Sequence, residues 1–329
     1  MNEQQILARW EQDKQAHLDW GLFIASVLAQ QLAEAISPTP LDSFLKLPPT
    51  PRLKANTSLV DKALHRGKSY QDPYADITDK VGLRYVLLLT SHIHTLCSII
   101  EAPACSTFWS HSKDRDYEQE RLARPLEFSY QSVHYVLRSR SGHTFQERPL
   151  PEGLCCEVQV RSLLQHAYSE LTHDTLYKPT VIAQPSVKRT VARSMALIET
   201  TDQCFLQAMQ DLDAASEPQR RLLDALQQAY RDGTGLVPAE ERSNQLVVDA
   251  LAALLPPEPV PALHAFLASK GYVFTKIQQH QAHHPFFRQP AVLLAYYLAA
   301  TKPNQIQQHW PIDDAILNLV FSDLGRAFP

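Results

Sequence analysis

Apolar positions recur at helical spacing from residue 3 to residue 36 (Leu18, Leu22, Ala25, Leu28, Leu32), with no proline between them. That pattern predicts one or two amphipathic helices. Ser37–Pro51 carries Pro38, Pro40, Pro48, Pro49 and Pro51 and reads as a connector, because proline removes backbone donors. Asn56–Arg66 reads as a short basic helix. Val81–Thr90 is a compact apolar run suited to a buried strand, followed by a helix over Ile93–Glu101. Residues 103–129 are polar and read as irregular. Ser132–Leu137 reads as a second strand, with Ser141-Gly142 as a hairpin turn into Thr144–Arg148. Leu154–Arg161 is a further strand, and Leu163–Tyr177 is a helix stopped by Pro179. Beyond Pro185 the pattern is helical: Val187–Leu212, Glu217–Arg231, a break at Pro256, Pro257, Pro259 and Pro261, then more helices. The order is helical head, mixed centre, helical tail. It predicts an α+β fold: a mixed β-sheet core flanked by helices, with an α-helical C-terminal region.

Composition narrows the class. The 329 residues are 44% hydrophobic and 20% charged, which is ordinary for a globular protein and unlike a disordered one. The net charge of −4 gives no support for a protein that coats nucleic acid, though a local basic patch remains open. The longest apolar run, Ala291–Ala300, is half of what spans a bilayer, and the N-terminus lacks a secretory pattern, so no membrane partner is expected. Five cysteines without C-x-x-C spacing suit a reducing cytoplasm.

Several constellations could carry chemistry. Arg52, Lys54, Ser58, Lys62 and Arg66 form a basic comb whose last three members are spaced by four. It is either a solvated face or a polyphosphate site at a helix N-terminus. Asp79 stands just before a strand, where a carboxylate can hold Mg²⁺ or simply cap the turn. Arg84 lies inside the apolar run and needs a partner, either an acid or a phosphate. Strand alternation puts Glu157, Gln159 and Arg161 on one face and Cys156, Val158 and Val160 on the core face. His166, Glu170, His173 and Tyr177 make one helical stripe, readable as an interface or a metal site. Tyr130 precedes a strand, placed either to stack on a base or to fill an edge of the core. His280, His283 and His284 cluster without cysteine or acid neighbours in sequence and give only a weak metal signal.

In this order the pieces resemble the synthetase domain of RelA/SpoT-type alarmone synthetases, over about residues 50–180. The R-x-K-x-x-x-S-x-x-x-K comb appears as Arg52, Lys54, Ser58 and Lys62; D-x-x-G-x-R as Asp79, Gly82 and Arg84. Y-Q-S-x-H appears as Tyr130, Gln131, Ser132 and His134; E-x-Q-x-R and the following helix as Glu157, Gln159, Arg161, His173, Tyr177 and Lys178. The resemblance implies transfer of the β,γ-pyrophosphate of ATP to a ribose 3′-hydroxyl with release of AMP, most simply to GTP or GDP to make (p)ppGpp. It implies that Arg52, Lys54, Ser58, Lys62 and Arg84 bind the ATP donor, and that Tyr130, His134, Gln159 and Arg161 bind the acceptor. Asp79 and Glu157 would hold Mg²⁺, with Glu157 also the base. The family's acceptor loop usually has Lys and Asn–Gly before the tyrosine; here Leu126, Phe128 and Ser129 stand there, with Glu127 between. An adenine nucleotide or a tRNA 3′ end as acceptor therefore stays open, as does a nucleotide sensor or partner-binding module without activity. The implied organisation is a helical segment and connector over 1–50, a pyrophosphotransferase domain over 51–185, and a helical region over 186–329. That last region is open to a regulatory, partner-sensing or homo-oligomerising role.

Overall fold

The computed structural model describes residues 1–67, 69–128, 131–172, 184–239 and 242–328. These divide into two compact units, Met1–Met209 and Gln210–Pro329. The boundary falls inside a helix, whereas the divisions at 50/51 and 185/186 follow motif and composition.

The first unit opens with α1 (Glu3–Ala35), a single helix. Asn2 caps it reciprocally with Gln5, satisfying two donors that a helix start leaves open. Its buried stripe of Trp20, Ile24, Leu28 and Leu32 packs on the sheet. The proline-rich connector holds a short helix, α2 (Leu41–Phe44), before β1 (Arg52–Leu53). The basic helix is α3 (Asn56–Val60), continued by a π-helical turn over Asp61–His65. Then come β2 (Val81–Leu87), α4 (Thr90–Ile100), β3 (Trp109–Arg115), α5 (Tyr117–Ala123), β4 (Val133–Ser139), the two-residue strands β5 (Thr144–Phe145) and β6 (Arg148–Pro149), β7 (Cys155–Ser162), and α6 (Leu163–Thr172). Of the expected helix Leu163–Tyr177, residues 173–177 lie outside the described residues.

The main sheet has the order β1-β2-β7-β4-β3, with β2 and β7 parallel and the other pairs antiparallel. Its period sorts side chains cleanly. Val81, Leu83, Tyr85, Cys156, Val158, Val160, Val133 and Tyr135 face the core under α1 and α4, and the alternate positions face the other way.

Three stretches of the chain differ from the sequence-based expectation. Residues 103–129 are not irregular: they contain β3 and α5. β3 is an edge strand whose residues from Ser110 to Asp114 are all exposed, so it shows no apolar alternation to read. α5 is capped by Asp116, whose carboxylate accepts from the backbone of Glu118 and Gln119. Gly142 does turn the chain at φ +89°, but Thr144-Phe145 pairs with Arg148-Pro149 through a second turn at Gln146-Glu147, both at positive φ. The two helices expected over 187–231 are one, α7 (Pro185–Thr234), which carries Pro218 in its interior.

The second unit is helical. It holds the end of α7, then α8 (Arg242–Leu251), α9 (Pro259–Ser269), α10 (Tyr272–His280), α11 (Ala291–Thr301), α12 (Pro303–His309) and α13 (Asp314–Asp323). α11 is buried on nearly every side, which explains why it is apolar all round and forms the longest apolar run. His280 does have an acidic neighbour, Asp323 of α13, which also accepts from Tyr296. No single helix among the described residues is long and apolar enough to cross a membrane.

Candidate active site

The polar face of the sheet, opposite α1, floors a cleft of about 1200 Å³ that lies wholly in the first unit. Register brings its floor together. Gly82 of β2 lies beside Glu157 of β7, Arg84 beside Gln159, and His134 of β4 beside Gln159 from the other side. Gly82 has a use here. A side chain would meet the Glu157 carbonyl at an ordinary 3.6 Å, so the backbone tolerates one, but it would stand on the cleft floor next to the carboxylate.

One wall is cationic. Arg52 on β1, Lys54 just after it, and Ser58 on α3 line the cleft. Asp79 sits at the mouth of β2, and one of its oxygens receives both the Lys54 and the Lys62 ammonium groups at 2.8 Å each. Burial pushes the Asp79 carboxyl up, but the two lysines outweigh it and hold the group below its ordinary range. Its other oxygen, Oδ1, is buried without a hydrogen-bond partner. Neighbouring Lys80 fixes this geometry: its buried ammonium donates to the Ile77 carbonyl at 2.8 Å, and its own carbonyl accepts from the Lys54 backbone. A π-helical turn over Asp61–His65 runs through the comb, and both Ser58 and Arg66 line the cleft. Lys62 turns to Asp79 while Arg66 pairs with Asp61 at 2.7 Å.

Glu157 occupies the centre. One carboxylate oxygen lies 3.3 Å from His134 Nδ1, and the other accepts from Gln159 at 2.8 Å. Gln159 in turn accepts from Arg161, which is 1% exposed and forms the deep end of the floor. Burial raises the Glu157 carboxyl, His134 and Gln159 lower it, and the charge of Asp79 raises it slightly; the net is a carboxyl below its ordinary range. That Asp79 acts on Glu157 at all shows the two acids sharing one electrostatic neighbourhood, although 78 positions separate them in sequence.

The two carboxylates form a small hard-oxygen set. Among the described residues, no group of three or more His, Cys, Asp or Glu side chains could hold a metal ion. A divalent ion here would take most of its oxygens from substrate phosphates and water, the habit of Mg²⁺. The partnerless Asp79 Oδ1 fits that use.

The cleft therefore unites Arg52, Lys54, Ser58, Asp79, Arg84, His134, Glu157, Gln159 and Arg161, and Lys62 reaches it through Asp79. Arg84 is paired, to Glu170 of α6 at 2.8 Å. His166 also lies 3.7 Å from Glu170, so the described half of the stripe on α6 is an interface with the sheet. Tyr130, His173, Tyr177 and Lys178 lie outside the described residues. Sequence reasoning missed Arg115, which lines the cleft from β3 and is held by both oxygens of Glu120 at 2.6 and 2.8 Å. The Asp116 cap ahead of an acidic first turn was the one signal that could have revealed this region.

Residues 51–181 match the family described as a region found in RelA / SpoT proteins. No curated protein matches the chain significantly. Among solved structures, small alarmone synthetase 1 from Bacillus subtilis bound to its product pppGpp is 18% identical with a TM-score of 0.48, covering 64% of this chain and 98% of that one. Small alarmone synthetase 2 from Bacillus subtilis is 17% identical at TM-score 0.49, covering 61% and 99%. A GTP pyrophosphokinase family protein from Streptococcus pneumoniae is 19% identical at TM-score 0.48, covering 63% and 94%.

Proposed function

We propose, from the match of residues 51–181 to the region found in RelA / SpoT proteins, that the chain is a pyrophosphokinase-type transferase that moves the β,γ-pyrophosphate of ATP to a ribose 3′-hydroxyl and releases AMP. The observation that carries this reading is the pairing of Asp79 and Glu157 in one cleft opposite a wall of cations.

The chemistry asks for little besides charge neutralisation and alignment. Lys54 and Lys62, which share one oxygen of Asp79 at rest, would turn to the donor phosphates, with Arg52 and Ser58 beside them. Asp79 and Glu157 would hold Mg²⁺, which supplies further neutralisation of the phosphate oxygens. Glu157 accepts the proton of the attacking hydroxyl. Its carboxyl lies below the ordinary range, so it is ionised at neutral pH and works by placement: His134 and Gln159 fix one oxygen each. The acceptor enters from the side of β4 and β3, opposite the lysines.

GDP and GTP are the first acceptors to test, giving a guanosine alarmone. A second reading, transfer to a tRNA 3′ end, draws on the stretch before Tyr130. Glu127 engages Arg124 there at 3.3 Å, and Leu126 is 91% exposed, so the stretch offers an acid and an apolar side chain where the resemblance expects a cation. Buried thiols at Cys97, Cys105, Cys155 and Cys156, none in a disulfide, suit action in a reducing cytoplasm. The test is AMP release from labelled ATP with Mg²⁺ and GDP, GTP, ATP or tRNA offered separately. A 3′-pyrophosphorylated product with one of them supports the proposal. No AMP with any of the four overturns it in favour of a nucleotide sensor.

A further inference from the structure

The first 25 residues of α7 belong to the first unit, and two of their acids reach into the interior behind the site. Glu199 accepts from the side-chain amide of Gln131, which is 4% exposed. It also lies 3.4 Å from Arg121 Nε of α5. Gln131 Oε1 receives Arg121 Nη2 at 2.8 Å and Gln165 Nε2 at 3.4 Å. Three residues further along the helix, Asp202 is 3% exposed and accepts from the Ser162 hydroxyl at 2.8 Å. Ser162 ends β7 and exchanges two hydrogen bonds with Gln165. The result is one polar network, buried at Gln131, Ser162, Gln165 and Asp202 and half-buried at Arg121 and Glu199, that joins α5, the start of β4, the end of β7, α6 and α7.

Such a network is costly to bury unless its partners hold a single geometry, so it fixes position more than it adds stability. What it fixes lies on one side of the reacting centre. Gln131 follows Tyr130 directly in the chain. Ser162 follows Arg161, whose guanidinium donates to Gln159, which donates to Glu157. The donor side, with Lys54, Lys62 and Asp79, is held by other contacts, those of Lys80 and the β1–β2 pairing. Tyr168, Val191 and Met195 seal the apolar contact of α7 with α6, so the two acids are held at a packed interface.

We propose that Glu199 and Asp202 are positioning residues for the acceptor half of the site, acting through Gln131 and Ser162. The start of α7 is thereby part of the enzyme's working apparatus, although it lies outside the stretch that carries the motifs. This rests on the transferase reading, so the wild-type protein is measured beside every variant.

Glu199→Ala and Asp202→Ala should each raise the acceptor KM about tenfold while the ATP KM stays within about twofold, since a small misplacement of a held group costs that much. Glu199→Gln and Asp202→Asn keep an acceptor oxygen and should restore most of the loss. Equal changes in both KM values, or an unchanged acceptor KM, would overturn the proposal. A wild type that releases no AMP with any acceptor would instead sink the transferase reading. Hydrogen exchange on the full chain then decides the positioning claim: Glu199→Ala should lower protection at residues 131–134 and 157–162 and leave 81–87 alone. Unchanged exchange at 131–134 and 157–162, or loss spread evenly over the first unit, counts against it.

Discussion

Replacing Asp202 by asparagine should stabilise the first unit at neutral pH and leave it nearly unchanged in mild acid. Burial pushes the Asp202 carboxyl up to about 6, against an ordinary 3.8, and the Ser162 hydroxyl and the Arg121 charge offset only part of that. The unfolded chain gives up this proton near 3.8 and the folded one near 6. Between those values the folded state binds more protons, so stability falls as pH rises, and above 6 the loss is complete. The gap corresponds to roughly 3 kcal/mol, of which roughly 2 kcal/mol falls between pH 4.5 and 7. Asparagine cannot ionise and still offers an oxygen to Ser162. Its amide NH₂ would stand where Asp202 Oδ1 now lies buried without a hydrogen-bond partner, which costs about 1 kcal/mol of the gain. The assay is urea unfolding at several pH values, read by tryptophan emission. Trp10, Trp20 and Trp109 are in the first unit, so a Trp310→Phe background isolates it. A difference between variant and wild type that is the same at pH 4.5 and 7, or a variant less stable at pH 7, would refute the reasoning.

Glu157→Gln should preserve the melting curve and cut turnover by about 10²- to 10⁴-fold, because it removes the base and keeps the shape; a near-normal rate would discard the assigned role. Tyr130→Ala should weaken the acceptor more than ATP, measured as two KM values, and equal losses would contradict stacking on the acceptor base. Lys62→Met should raise the ATP KM about tenfold and spare the acceptor KM, since Lys62 reaches Asp79 on the donor wall; an acceptor-selective effect would misplace that wall.

Much of the site was legible because its residues obey strand and helix periods. Glu157, Gln159 and Arg161 alternate with Cys156, Val158 and Val160, so their common face follows from the pleat alone. The comb was legible from its spacing: Ser58 and Arg66 both line the cleft and Lys62 reaches Asp79 in it, although a π-helical turn over Asp61–His65 replaces the expected regular helix. What stayed hidden depends on tertiary partners. Arg84 finds Glu170, 86 positions away, and nothing local names that acid. β3 was invisible because an exposed edge strand needs no apolar alternation, and Arg115 was lost with it. Glu199 and Asp202 look like ordinary helix-surface acids in the sequence; only the packing of α7 behind β7 buries Asp202 and half-buries Glu199. The apparent break between two tail helices was Pro218, which the helix accommodates.

The order of strands carries a consequence for synthesis. β7 comes last along the chain yet lies in the middle of the sheet, between β2 and β4. Until the ribosome has released residue 162, β2 has no lateral neighbour on that flank, and Asp79 waits for a counterpart that has yet to be translated. A chain that stops short of residue 162 therefore lacks the strand that carries Glu157 into the cleft, and the cleft floor closes only once its central slat has been slid into place.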